Sequence, residues 1–112
     1  MKKLLLVALL VLASPIAQAG DASAGAQKAK VCEACHGANF DTPVAPDIPR
    51  LAGQHKDYLE RALEDYKSGA RKNPIMSGQA AALSKQDIEN LAAYIGGLHG
   101  KLKVIPLHRF VN

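Results

Sequence analysis

Cys32 and Cys35 are the only cysteines of this 112-residue chain, and His36 follows at once, in the run VCEACHGANF. Two thiols three positions apart lie on one side of a helical turn, so both can serve one partner. Four chemistries use such residues. A thioredoxin-like dithiol needs a strand feeding the CxxC inside a βαβ unit, whereas the segment before Cys32 is rich in alanine at helical spacing. A structural zinc site takes four protein ligands, and only His55, His99 or His108 remains to complete one. A plain disulfide across so short a loop stabilises little. Cys-x-x-Cys-His is also the attachment sequence of c-type haem, in which each thiol adds across one vinyl group and the histidine binds the iron from one face. That fourth reading fits best, and it requires a hydrogen-bond acceptor for the other ring nitrogen of His36.

Such an iron needs a second ligand or an open face. Met76 is the only methionine after Met1, and residues 70–83, ARKNPIMSGQAAAL, read as a loop in which Pro74 and Gly78 keep Met76 outside any helix. A thioether favours the ferrous state, so a His36/Met76 pair raises the reduction potential, and it fills the position that O2 or peroxide would take. His55 opens an amphipathic helix and reads as a surface residue. His99 and His108 are the candidates should Met76 not bind.

Three helices must position these groups. The first follows Asp21, an N-cap, through ASAGAQKAK, where Ala22, Gly25, Ala26 and Ala29 form one small-residue face. It delivers the chain to Cys32. The second spans Gln54 to Ser68, with an apolar stripe of Leu59, Ala62, Leu63 and Tyr66 and a C-cap at Gly69. The third starts at Ser84, whose capping box is closed by Asp87, and carries Ile88, Leu91, Ala92, Ile95 and Leu98. Residues 37–53, GANFDTPVAPDIPRLAG, form an extended loop with Pro43, Pro46 and Pro49. No run alternates as a strand does, so the fold class is all-α.

At the N-terminus, Lys2 and Lys3, the apolar run Leu4 to Ala13 and Ala17-Gln18-Ala19 have the layout of a secretory signal peptide. The run falls short of the about 20 residues that span a bilayer. The organisation read is signal peptide 1–19, one small domain 20–100 and a basic tail 101–112, exported to the periplasm without stable membrane insertion. Losing Lys2 and Lys3 lowers the formal charge of +4 by two. The remaining excess sits at Lys101, Lys103 and Arg109, too little for a nucleic-acid binder that needs a broad basic face. Five aromatic residues and no tryptophan make a thin core, which small chains often supplement with a large cofactor.

CEACHG, IPRLAGQHKDYLERALEDYKSGAR, NPIM and LSKQDIENLAAYI, in that order, closely resemble the class I c-type cytochromes, in particular the cytochrome c4 and c553 branch of bacterial electron carriers. The likeness covers residues 21–98. It implies a cytochrome c fold around one haem c, held through Cys32 and Cys35, with His36 as proximal and Met76 as distal ligand. It further implies that the Pro49 carbonyl accepts the His36 ring N–H, that the first and last helices cross at Gly25 and Tyr94, and that Tyr58 and Arg71 lie near a haem propionate. The c4 proteins carry two such domains, but this chain has one CxxCH. Residues 99–112, HGKLKVIPLHRFVN, have no counterpart in that pattern, and three readings stay open: wrapped on the surface, a docking arm for an acidic partner, or an unordered basic terminus.

The function expected is therefore a periplasmic one-electron carrier, not an enzyme, exchanging electrons with a membrane reductase, a terminal oxidase or a dehydrogenase. A haem enzyme or gas sensor with an open iron site, and an electron-transfer subunit of a larger dehydrogenase, are the alternatives.

Overall fold

The computed structural model describes residues 19–105. The signal-peptide reading of residues 1–19, apart from Ala19 itself, and the tail residues His108 and Arg109 lie outside the described residues. The described residues form five helices and no strand: α1 (Ala22–Lys28), α2 (Lys30–His36), α3 (Lys56–Ser68), α4 (Pro74–Ala81) and α5 (Lys85–Gly96).

Two of these correct the sequence expectations. The first helix breaks at Ala29 into α1 and α2, because the Ala29 carbonyl accepts the Cys32 N–H at 2.9 Å, one residue earlier than an α-helix would place that bond. Ala29 itself is fully buried. Residues 74–81, expected as loop, form α4. Asn73 caps it, accepting the N–H groups of Ile75 at 3.1 Å and Met76 at 3.0 Å, and Pro74 fills the first helical position, where a missing N–H costs nothing.

The other ends follow the sequence. Asp21 accepts from Ser23 and Ala24, Gly69 caps α3 in the left-handed conformation, and Ser84 with Asp87 forms a complete capping box on α5. That box holds the Asp87 carboxyl below its ordinary range, chiefly through the backbone N–H of Ser84, with Lys28 adding to it.

α5 is the centre of the packing: α1 and α3 both pack against it, and α4 packs on α3. Ile88, Leu91, Ala92 and Ile95 are its buried stripe, and Leu59 of α3 joins the same cluster. A Cβ at Gly25 would run into the Asn90 carbonyl and lie 2.9 Å from Tyr94 Cβ, so only glycine permits this crossing of α1 and α5. The Asn90 side chain secures it, accepting the Asp21 N–H at 2.7 Å.

After α5 the chain turns back over the loop. Asp41 is buried and accepts the Lys101 N–H at 2.7 Å, while the His55 ring donates through Nε2 to the Ile105 carbonyl at 2.7 Å. Residues 101–105 are thus wrapped on the surface.

Candidate functional site

α2 carries Cys32, Cys35 and His36 on its last two turns. Both thiols are free; Cys32 is half-buried against the core, and Cys35 is exposed. Burial, and then the charge of Glu33, push the Cys32 thiol up. His36 is the last helical residue and is buried. Gly37 ends the helix at φ 87°, where a side chain would be strained and its Cβ would meet the Thr42 carbonyl.

The loop that follows returns beneath the imidazole. His36 Nδ1 lies 2.9 Å from the Pro49 carbonyl. A carbonyl only accepts, so the proton sits on Nδ1 and the Nε2 lone pair is directed away from that bond. Phe40 stacks on the same ring, centroids 6.3 Å apart at 20°, and meets Tyr94 edge to face. It is fully buried with φ at +56°, a left-handed conformation unusual for an aromatic residue. Its carbonyl accepts the N–H groups of Leu51 at 2.8 Å and Ala52 at 3.0 Å, which fixes where Pro49 stands. Neither Phe40 nor Asp41 was found from sequence. Phe40 is the loop's only aromatic residue, which was the available signal; Asp41 gave none.

Among the other expected site residues, Tyr58 and Arg71 meet: Arg71 Nη1 donates to the Tyr58 hydroxyl at 3.3 Å. The guanidinium also lies 4.8 Å over the Tyr66 ring, a cation–π distance. That hydrogen bond is the main reason the Arg71 pKa is raised further. Met76 is half-buried in the first turn of α4. His55 is engaged with Ile105, and His99 is exposed.

This donor set fits haem c. Two free thiols stand three positions apart on one helix, followed by an imidazole with Nε2 available. Among the described residues, no group of three or more His, Cys, Asp or Glu side chains forms a site able to hold a metal ion. Of the exposed large apolar residues, Val31 precedes Cys32 and Ile75 precedes Met76 in the chain, and Val44 donates its backbone N–H to the Cys35 carbonyl at 3.0 Å.

The cytochrome c family model matches residues 22–99. The chain belongs to the cytochrome c family. It is similar to cytochrome c4 of Pseudomonas aeruginosa, 50% identical over 76 residues that make up 68% of this chain and 37% of that protein. A thiosulfate dehydrogenase electron acceptor of Stutzerimonas stutzeri (strain A1501) is 46% identical over 65 residues, 58% of this chain and 30% of that one. The crystal structure of reduced recombinant cytochrome c4 from Pseudomonas stutzeri aligns with a TM-score of 0.69 at 42% identity, covering 75% of this chain and 48% of that chain. This class I, c4-like cytochrome therefore spans less than half the length of these relatives. Family and fold carry haem c bound covalently, and Cys32 and Cys35 fit its attachment.

Proposed function

We propose that this cytochrome is an exported one-electron carrier whose iron is held between His36 and Met76, with Cys32 and Cys35 forming the thioethers. The observation that carries the reading is the His36 Nδ1–Pro49 bond of 2.9 Å. It fixes the tautomer, aims Nε2 as a ligand and makes the imidazole a stronger donor. When bound, haem c supplies the Fe(II)/Fe(III) couple.

The residues of the chain do the rest. Phe40 and the Pro49 carbonyl hold the imidazole in place from two sides, so that little need move when the iron charge changes. Met76 stands on a capped helix braced against α3, a rigid support for a thioether. A pair of fixed ligands leaves no position for O2 or peroxide, which separates a carrier from an enzyme or sensor. Arg71, held by Tyr58 and Tyr66, offers a fixed positive charge to a haem propionate. The reading of residues 1–19 as a cleavable leader supports a periplasmic location for the carrier. The kinship with a thiosulfate dehydrogenase electron acceptor favours a dehydrogenase among its electron donors.

Redox titration of protein matured with the haem-attachment machinery tests this reading. A single reversible one-electron step, with reduced protein that ignores carbon monoxide, is expected. Rapid carbon monoxide binding by native protein would favour the open-iron enzyme or sensor. Intact mass of the exported protein gives the leader: cleavage after Ala19 is expected, and a retained N-terminus would contradict it.

A further inference from the structure

Beside the imidazole support lies a groove that meets the site described above at Pro49. One wall is the Pro43–Arg50 loop, with Val44 and Ile48 among its apolar groups, and the other is the Lys101–Lys103 segment. Three cations line it: Arg50, Lys101 and Lys103. Lys101 and Lys103 are exposed, and the ion pairs found among the described residues include neither.

The walls are tied together, so the groove is formed in advance. Asp41 accepts the Lys101 N–H through its carboxylate, its backbone carbonyl accepts Arg50 Nε at 2.8 Å, and the same carboxylate stands 4.0 Å from that guanidinium. The Asp41 carboxylate is therefore spent inside the fold, while the Arg50 side chain stays half exposed. Pro49 lines the groove as well, and its carbonyl is the one that holds His36. Anything seated there lies one hydrogen bond from the proposed iron ligand.

We propose that this groove is a docking site for an acidic segment of a redox partner protein, one that sets glutamate or aspartate against Arg50, Lys101 and Lys103 and apolar side chains against Val44 and Ile48. The proposal rests on the electron-carrier reading and adds to it where a partner sits. Three cations around an apolar strip suit a short acidic segment, and they are too few for nucleic acid. Charge here acts on encounter and orientation. The Pro49–His36 bond lets the partner's charge be felt at the iron.

The probe is a short polyglutamate peptide with two central apolar residues, titrated into ferrous holoprotein and followed by amide NMR. A peptide with lysine for glutamate is the control. Shifts are expected on Val44, Ile48, Arg50, Leu102 and Lys103. The double variant K101E/K103E, altered only at exposed positions, weakens binding roughly tenfold or more at low salt and less at high salt. The bound acidic peptide lowers the midpoint potential, because negative charge near His36 favours ferric iron. Shifts centred on Ile75 and Met76, an affinity indifferent to charge reversal, or a preference for the lysine peptide overturns the proposal. So does occupation by another group: groove shifts that follow protein concentration without peptide assign it to a second copy, and shifts on deleting residues 106–112 assign it to the chain's own end. The redox titration above is read on the same sample, so the groove can fail while the carrier reading stands.

Discussion

Gly25→Ala adds one methyl group where α1 crosses α5, and the structure gives its consequence in detail. The new Cβ meets the Asn90 carbonyl, which is backbone and cannot rotate aside, with Tyr94 Cβ at 2.9 Å behind it. The helices must move apart, and overpacking of this kind costs about 1–3 kcal/mol. A rigid obstacle places the cost near the upper end, about 3 kcal/mol. Against it stands the better helix propensity of alanine, about 1 kcal/mol. A net loss of about 2 kcal/mol lowers the melting temperature of a domain this size by about 8–16 °C. Thermal unfolding of ferric holoprotein, followed by far-UV circular dichroism, measures it. Serine at position 25 is expected to melt lower still. An alanine variant as stable as the parent, or more so, would refute the close crossing.

Other expectations follow from single groups. Phe40→Ala removes a fully buried ring from the core and from the His36 stack, and is expected to cost about 3–5 kcal/mol in guanidinium unfolding; Phe40→Leu retains most of the bulk and costs less. Asp41→Ala leaves the Lys101 N–H without its acceptor and is expected to cost about 1–3 kcal/mol, whereas Asp41→Asn keeps an oxygen there and stays closer to the parent. Ser84→Ala breaks the α5 capping box and is expected to cost about 1 kcal/mol by the same assay. Because the folded state holds Asp87 below its ordinary range, the stability it contributes is present above the unfolded carboxylate pKa and is lost as the pH falls through the folded value. Asp87→Asn should accordingly flatten the acid limb of the stability profile, and a limb of unchanged slope would speak against the capping box as its source.

What could be read without the fold was local. Asp21, Gly69 and the Ser84–Asp87 box act through hydrogen bonds and backbone angles within a few residues, so their types and spacing sufficed. Gly25 and Tyr94 were placed through the family likeness, and so was the Pro49 carbonyl, which stands where the likeness put it. The first turn of α4 was misread because Asn73-Pro74 marks a turn as readily as a helix start. The outcome there depends on whether the following residues find a helix to lie on, which α3 provides. Phe40 and Asp41 were invisible for a different reason. Each acts across the chain, Phe40 on Tyr94 and Asp41 on Lys101, and nothing near either residue in sequence announces the partner. The break at Ala29, a residue fully buried in the core, is likewise not marked by a poor helix former, since alanine is the best of them.

Apart from Met1, which the proposed leader cleavage would remove, Met76 is the only methionine of the sequence, which makes ligation of the iron open to one direct measurement. In ferrous holoprotein labelled with 13C at the methionine methyl, a thioether bound to the iron holds its methyl over the porphyrin face, and ring current drives that resonance far upfield. A single methyl signal at such a position is the expected result. A signal at the ordinary position of a free methionine would show that Met76 leaves the iron untouched and would remove the carrier reading's second ligand.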